Sequence, residues 1–185
     1  VIPQDIPEYE LFCDVKNENL NAFAARHDFP PRSDNAIIFL LRENYQRKAK
    51  DKITIIDFES KYLDQFEKLH NQVFPKTYFT AKQIIEKLDE KHRLLIAIDN
   101  EYLLGYFFGK IESESGYVDF IAADESARRL GVGENLLAAG LDWLFLTPST
   151  QKINLTVNAE NTAARSLYNK FGFTTERITR GYRKK

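Results

Sequence analysis

The sequence lacks most of the residues that build disulfide-bonded, metal-bound or membrane-spanning proteins. Its 185 residues include one cysteine, one tryptophan and no methionine. Because Cys13 has no second cysteine to pair with, an internal disulfide and a metal-binding cysteine cluster are both excluded. No apolar run approaches the ~20 residues of a membrane-spanning helix, and no signal peptide is recognisable. We therefore expect a cytoplasmic protein that uses no metal and has no contact with a membrane.

An excess of charge of either sign is also missing. The chain has 26 lysines and arginines against 27 aspartates and glutamates, a formal net charge of −1. Such a balance creates no overall field that would draw the molecule to nucleic acid. With 43% hydrophobic and 29% charged residues, the composition is that of an ordinary globular protein. The length is sufficient to bury a sizeable core.

The most informative stretch runs from Tyr117 to Leu137. Its first part favours a strand, because Val118 and Phe120 belong to the residue types that suit a pleated, half-buried surface. Its last part carries leucines at the spacing of one helical face. Between the two lies a turn with the sequence Arg-Arg-Leu-Gly-Val-Gly at residues 128–133.

The glycines of this turn suit a bound phosphate. Gly131 and Gly133 let the backbone bend tightly and leave space for a ligand, and the amides of the following helix face outward at the positive end of its dipole. This arrangement is typical of pyrophosphate binding. A dinucleotide-binding fingerprint would need a third glycine and a P-loop would need Gly-Lys-Ser/Thr, and the turn has neither. On local chemistry alone, an ordinary glycine-containing turn explains the sequence equally well.

The pattern of the remaining chain predicts a complete order of elements. Residues 53–185 read as strand-helix-helix-strand-strand-strand-helix-strand-helix-strand. Helix starts are expected at the polar caps Ser60, Thr80 and Asn161. Gly172 is expected to end the last helix, and closing strands follow it.

Two motifs in this order resemble the GCN5-related N-acetyltransferases (GNATs). The first is Arg-x-x-Gly-x-Gly after a strand, at residues 128–133, and the second is Asn-x-x-Ala-x-x-Leu-Tyr-x-x-x-Gly-Phe, at residues 161–173. The resemblance covers residues 53–185 and implies an α/β (α+β) fold with a central mixed, mostly antiparallel sheet and helices on both faces. It also implies that the fourth and fifth strands of that fold splay apart to admit coenzyme A.

The resemblance implies an enzyme that moves an acetyl group from acetyl-CoA directly to a primary amine in a ternary complex, without a metal. It assigns the pantetheine arm to the backbone of the central strand, and the pyrophosphate to the glycine turn and the helix start. The implied cofactor-binding residues are Phe120, Ile121, Ala122, Arg128, Arg129, Gly131, Val132, Gly133, Glu134 and Asn161. For Asn161 a helix N-cap is an equally good explanation.

The resemblance also implies the catalytic residues. It places a general acid at Tyr168, whose phenol carries the proton that a leaving thiolate needs, although a core aromatic is the alternative. For the general base, Asp119 and Tyr117 are the candidates on the central strand, with Glu112 in a turn as a third. By strand alternation Asp119 and Tyr117 share one face and Phe120 lies on the other. A solvent-facing strand residue explains Asp119 equally well.

The acceptor site is indicated by a third similarity. Residues 71–78 resemble the loop of protein N-terminal (Nα) acetyltransferases that lines the peptide site, which implies that Phe74, Pro75 and Tyr78 contact the acceptor. The catalytic histidine of that group falls on Thr156, and threonine cannot act as a base at neutral pH. The acceptor is therefore expected to be an amine-bearing small molecule or a peptide, with an Nα-acetyltransferase as the alternative. A non-catalytic module that binds coenzyme A or a partner is the alternative of another class.

The first 50 residues are expected to form an N-terminal extension ahead of a GNAT domain at residues 53–185. Residues 15–19 echo residues 157–161, and after a stretch that is two residues shorter Asp28-Phe29 echoes Gly172-Phe173, which indicates either a vestigial half-repeat of the domain or chance similarity. The predicted strand at residues 36–41 would leave an unpaired edge, and proteins cover such edges. We therefore expect this strand to pack on the main sheet or on a second subunit of a homodimer.

Overall fold

A computed structural model describes residues 8–46 and 53–184 of the chain. The strands are β1 (Tyr9–Asp14), β2 (Pro31–Leu41), β3 (Thr54–Asp57), β4 (His92–Asp99), β5 (Tyr102–Glu112), β6 (Ser115–Ala123), β7 (Lys152–Asn158) and β8 (Thr174–Lys184). The helices are α1 (Glu18–Arg26), α2 (Leu63–Val73), α3 (Ala81–Glu86), α4 (Val132–Leu146) and α5 (Thr162–Lys170).

The chain forms two compact units. One consists of the residues up to Phe39 together with those from Thr156 onward, and the other runs from Leu40 to Leu155. The domain boundary predicted at residues 51 and 52 lies outside the described residues.

In the unit from Leu40 to Leu155, the strands hydrogen-bond in the order β7-β6-β5-β4-β3. The strands β3 to β6 are antiparallel neighbours, whereas β6 and β7 run parallel. This confirms the mixed, mostly antiparallel sheet that the motifs predict.

Strand alternation allows helices to cover both faces of this sheet. On β5, Tyr106 and Phe108 belong to one buried cluster with Phe66 of α2. Phe107, which lies between them, points to the opposite face, where Gly140 of α4 leaves room for its ring. The helix pair α2–α3 and the helix α4 therefore enclose the sheet from opposite sides.

The two helix starts predicted in this unit have different outcomes. At Ser60 the prediction is wrong, because the chain enters α2 through a tighter 3-10 turn, in which the Tyr62 amide donates to the Glu59 carbonyl at 3.0 Å. At Thr80 it is confirmed. The Thr80 hydroxyl accepts from the Gln83 amide at 3.3 Å, and the Gln83 side chain accepts from the Thr80 amide at 2.8 Å, which is a complete capping box.

In the other unit the strands follow the order β1-β8-β2-β7. Both β1 and β2 pair antiparallel with β8. The prediction of several closing strands after Gly172 is wrong, because one 11-residue strand, β8, has partners on both edges and needs no hairpin. Residues 36–41 lie in β2 and their edge is covered by β8 within the chain. The predicted homodimer therefore loses its argument from an unpaired edge.

Within this unit, β1-α1-β2 and β7-α5-β8 make the same hydrogen bonds 144 positions apart. The Asn17 side chain accepts from the Leu20 amide at 3.0 Å, and the Asn161 side chain accepts from the Ala164 amide at 3.0 Å. The turns after the two helices also correspond, with φ angles of 56° at Asp28 and 91° at Gly172.

The register of the sequence echo is therefore correct at Asp28 and Gly172 but two residues off at its start. Matching residues 15–19 with 157–161 implies an offset of 142, whereas the hydrogen bonds give 144. The Asp14 side chain accepts from the Lys16 amide at 2.8 Å, and the Asn158 side chain accepts from the Glu160 amide at 2.8 Å. The geometry of the turns sets this offset of 144. The residues that are identical at an offset of 142 do not share a backbone conformation.

Among residues 8–46 and 53–184, no helix has the length and apolar character required to span a membrane.

Candidate active site

The central strand β6 pairs with β7 on one edge and with β5 on the other. Within the unit from Leu40 to Leu155, the parallel ladder runs from the Ser115–Lys152 pair to the Val118–Leu155 pair. The strand β6 continues to Ala123 and stays paired with β5 on its other edge. The backbone of Phe120, Ile121 and Ala122, three predicted cofactor-binding residues, lies in this continuation of β6. This is the strand end where the motifs predict a splay.

The turn after β6 has the backbone that the glycines predict. Arg129 has a φ of 67° and Gly131 a φ of 84°, so the chain passes twice through the left-handed region before α4 begins. Gly131 is the N-cap of α4 and provides no side-chain acceptor for the helix. The first-turn amides, including those of Val132, Gly133 and Glu134, are therefore presented without a side-chain cap, as in helix starts that bind anions.

A buried asparagine, which the sequence analysis missed, holds this turn. Both the backbone amide and the side-chain amide of Asn135 donate to the Gly131 carbonyl, at 3.0 and 2.9 Å. Asn135 is buried, so its two donors replace solvent at that carbonyl and fix the turn. The available signal was a polar residue among the apolar positions of α4.

Arg128 and Arg129 flank the turn at the surface. The Arg128 guanidinium donates to the Glu125 carboxylate at 2.7 Å, and both side chains are exposed. Exposed pairs of this kind contribute little to stability, so Arg128 can exchange its partner for a phosphate at low cost.

The end of β6 and the uncapped helix start together fit acetyl-CoA. An extended ligand with amide groups can pair with a strand edge, and a pyrophosphate suits the start of α4 with its nearby arginines. Among the described residues, no group of histidine, cysteine and carboxylate side chains could hold a metal ion.

Asp119 lies in a β-bulge of β6. The pairs Gly109–Val118 and Phe108–Phe120 leave Asp119 as the extra residue opposite β5. A bulge redirects the side chain and breaks alternation, so the expectation that Asp119 and Phe120 face opposite sides is wrong. The same side chain, Tyr78, stacks on Phe120 at 5.0 Å and donates its hydroxyl to Asp119 Oδ1 at 3.1 Å.

The surroundings of Asp119 favour the protonated form of its carboxyl. Burial is the main cause that raises its pKa above the ordinary value, and the positive charge of Lys110 is the main opposing effect. Its second oxygen, Oδ2, is buried and has no hydrogen-bond partner among the described residues. A half-buried carboxylate with one unsatisfied oxygen is chemically suited to accept a proton.

The other two base candidates on these strands are linked by Lys110, which the sequence analysis also missed. The Lys110 ammonium donates to the Glu112 carboxylate at 2.6 Å and lies 5.3 Å from the centre of the Tyr117 ring. Glu112 is therefore engaged in an ion pair. The register Lys110–Tyr117 across the β5–β6 hairpin was the signal that could have identified the lysine.

The loop between α2 and α3 supplies the aromatic wall of this site. Phe74 contacts the Phe120 ring at 5.1 Å, and Pro75 is exposed beside it. Buried His70 bridges the loop to the sheet, with 2.8 Å from Nε2 to the Phe79 carbonyl and 2.6 Å from Nδ1 to the Tyr106 hydroxyl. The structure thus brings three predicted residues, Phe74, Tyr78 and Asp119, into one cluster.

Tyr168 and Asn161 belong to the other unit, on α5 and at its N-cap. Tyr168 is buried against Phe173, with ring centres 5.7 Å apart. Burial alone raises the pKa of its phenol to about 12, which keeps the proton on the oxygen at neutral pH. Asn161 caps α5, as one of its two explanations predicts. Thr156 is exposed on β7.

Comparison with known proteins identifies a matching family and several relatives. The acetyltransferase (GNAT) family model matches residues 57–173. An N-alpha-acetyltransferase of Sulfurisphaera tokodaii is 28% identical over 134 residues, which cover 65% of this chain and 79% of that protein. A mycothiol acetyltransferase of Gordonia bronchialis is 35% identical over 101 residues, which cover 50% of this chain and 32% of that protein.

A solved structure shares the fold. A GCN5-related N-acetyltransferase from Sphaerobacter thermophilus superposes with a TM-score of 0.77 at 16% identity and covers 96% of this chain. The chain spans 59% of that structure's length. At this identity the likeness concerns the fold.

Proposed function

Because this chain belongs to the GNAT acetyltransferase family, we propose that it transfers the acetyl group of acetyl-CoA directly to the α-amino group of a peptide. The observation that carries the proposal is the aromatic loop held over Asp119: the Tyr78 ring stacks on Phe120 and its hydroxyl reaches the carboxylate. The N-alpha-acetyltransferase relative supports an α-amine as the acceptor.

Each step of the transfer has a residue with suitable chemistry. Acetyl-CoA supplies an activated acetyl group as a thioester. Asp119 accepts a proton from the acceptor ammonium, because its pKa is raised and its Oδ2 has no partner among the described residues. The neutral amine then attacks the thioester carbonyl, and the C–S bond breaks to release the thiolate. Tyr168 supplies the proton that the thiolate needs, since its buried phenol remains protonated at neutral pH.

Among the base candidates, we assign the role to Asp119 and give Tyr117 a supporting one. The Tyr117 ring lies under the Lys110 ammonium, which keeps a positive charge beside the Asp119 carboxylate. That charge opposes the effect of burial, so the carboxyl can still lose its proton when the site needs a base. Glu112 remains paired with Lys110.

The cofactor assignment rests on the backbone. We assign the pantetheine arm to the backbone of Phe120, Ile121 and Ala122, and the pyrophosphate to Arg128, Arg129 and the amides of residues 131–134. For Asn161 the cap on α5 occupies Oδ1, so any contact with the cofactor uses its amide nitrogen.

The test is acetylation of a panel in which only the acceptor varies. Short peptides with different first residues, the same peptides with a blocked N-terminus and one free lysine, and small primary amines are incubated with acetyl-CoA, and mass spectrometry locates the acetyl group. We expect acetylation at the α-nitrogen of free peptides and none at the lysine of blocked ones. Acetylation confined to lysine would overturn the proposal, and binding of acetyl-CoA without any acetylation would indicate a non-catalytic module.

A small-molecule amine is the second candidate acceptor. It is favoured by Thr156, which stands where the resembled Nα-acetyltransferases have their histidine, and by the mycothiol acetyltransferase relative. Acetylation of small amines at a kcat/KM well above that of every peptide would select this candidate.

A further inference from the structure

We propose that Tyr78 is a positioning residue for the acetyl transfer: its hydroxyl holds one oxygen of the Asp119 carboxylate and leaves the other for the acceptor amine. The inference rests on the proposed function, in which Asp119 is the general base. It gives the loop between α2 and α3 a role in the chemistry in addition to lining the acceptor site.

The position of Asp119 explains why its side chain needs an anchor. A bulged residue is left unpaired in the strand ladder, and the bulge turns its side chain away from the regular alternation. The Tyr78 hydroxyl, 3.1 Å from Oδ1, is the hydrogen-bond donor that reaches this carboxylate from the described residues. Without it the carboxylate could rotate and exchange its two oxygens, and Oδ2 would no longer be the fixed acceptor.

Tyr78 is itself held by packing, although it is 61% exposed. Its ring stacks on Phe120 with an interplanar angle of 27° and meets Phe79 edge-on with ring centres 4.8 Å apart. The Phe79 carbonyl is tied to buried His70 at 2.8 Å. The hydroxyl is therefore presented by a fixed frame, with the exposed side of the ring turned to solvent.

The bond also acts on the charge of the base. The groups that face Asp119 are Lys110 and Glu112 from β5, His92 from β4 and the Tyr78 hydroxyl from the loop. Lys110, the Tyr78 hydrogen bond and His92 lower the pKa of the carboxyl, whereas burial and Glu112 raise it. Removal of the hydroxyl therefore shifts the pKa of Asp119 further upward.

The test is Tyr78→Phe, which keeps the ring and its stacking and removes only the hydrogen bond. We expect kcat to fall roughly tenfold at the acid end of the activity profile, as the loss of a hydrogen bond to a charged group predicts. At high pH the part of the loss that comes from the raised pKa of Asp119 should disappear, the part that comes from lost orientation should remain, and the KM for acetyl-CoA should not change. Tyr102→Phe is the matched control, because Tyr102 is 72% exposed at the start of β5 and should leave the profile unchanged.

A side chain that only lines the acceptor pocket would give another result. Tyr78→Phe would then raise the KM for the acceptor equally at all pH values, and this outcome would overturn the proposal. Titration of the Asp119 carboxyl by NMR in wild type and Tyr78→Phe gives a readout that needs no activity. Equal pKa values in the two proteins would also overturn it. If the wild type were inactive but Tyr78→Phe raised the pKa of Asp119 as expected, the proposed function would be contradicted. The hydrogen bond between Tyr78 and Asp119 would still be established.

Discussion

At the scale of single residues, Asp119, which we propose as the general base, has a position that is costly to the fold. Its carboxyl is half-buried, and Oδ2 has no partner among the described residues. Burying a charge without full compensation destabilises the folded state. The sequence indicated Asp119 through its place in the strand but not the bulge, since the bulge is defined by the register of β6 against β5, which the sequence of β6 alone does not contain.

Asp119→Asn is predicted to reduce activity and to stabilise the protein at neutral pH. The pKa of Asp119 is raised in the folded state, so the ionised carboxylate opposes folding once the pH exceeds the ordinary pKa of an unfolded aspartate. The stabilisation by asparagine should therefore be present at pH 7 and vanish below both pKa values. Loss of a general base is expected to lower kcat by about 10²–10⁴-fold.

Thermal unfolding of wild type and Asp119→Asn between pH 3 and 8, with kcat measured in parallel, checks both parts. Asp99→Asn is a control at an exposed aspartate at the end of β4. A lower melting temperature for Asp119→Asn at pH 7 would contradict the account of its burial.

At the scale of elements, α4 is held at its C-terminal end by one side chain. Arg42, which follows β2, donates Nε to the Thr150 carbonyl at 2.7 Å and Nη2 to the Phe145 and Thr147 carbonyls at 2.8 and 2.6 Å. A guanidinium satisfies several helix-end carbonyls at once, and its charge suits the negative end of the dipole.

Arg42→Lys is predicted to destabilise the protein by about 1–3 kcal/mol, because an ammonium cannot reproduce this fork. Denaturant unfolding measures the change. The matched control is Arg93→Lys, whose partner Asp57 is exposed and whose loss should be below about 1 kcal/mol. Equal losses for the two variants would show that the C-terminal cap is unimportant.

The contact between α4 and β5 depends on the absence of a side chain at one position. A Cβ at Gly140 would overlap the Phe107 ring. Gly140→Ala is predicted to destabilise by about 1–3 kcal/mol, although alanine favours helix by about 1 kcal/mol over glycine.

The double variant with Phe107→Leu separates these effects. A smaller side chain at residue 107 should make room for the methyl group, so the penalty of Gly140→Ala should decrease or reverse in the Phe107→Leu background. An unchanged penalty in urea unfolding would locate the strain elsewhere.

At the scale of the whole molecule, the sequence predicts the elements better than their arrangement. The order from β3 to α5 follows from local periodicity and caps such as Thr80 and Asn161, which depend on residues a few positions apart. The pairing of β2 with β8 does not follow from local periodicity, because it joins residues such as Asn35 and Thr179. No local sequence pattern specifies a partner so far away along the chain. The hydrogen bonds that recur at an offset of 144 residues support, as a proposal, the interpretation of β1-α1-β2 as a half-repeat.

Acetyl-CoA is predicted to stabilise the whole protein against heat. A ligand that binds only the folded state adds roughly 2.7 kcal/mol at a hundred times its dissociation constant. Gly131→Glu should abolish this stabilisation, because it places a carboxylate at the uncapped start of α4. The control is Gly131→Ala, which has the same backbone strain at a φ of 84° without the charge and should retain part of the ligand's effect.

Differential scanning calorimetry with and without the ligand measures the shift for each protein against its own baseline. An equal shift in wild type and Gly131→Glu would place the cofactor away from residues 128–133.

The pairing of β8 with both β1 and β2 has a consequence for how the chain is made. A ribosome completes β2 at Leu41, but β8 begins only at Thr174. At about 5–20 residues per second, the nascent β1-α1-β2 segment waits on the order of ten seconds for its partner. During that interval its strand edges are open to chaperones and to neighbouring nascent chains. The β1-α1-β2 segment is therefore synthesised before β3 to β7 but pairs with β8 only after they are made, and polysomes with closely spaced ribosomes are where we expect mispairing between copies to begin.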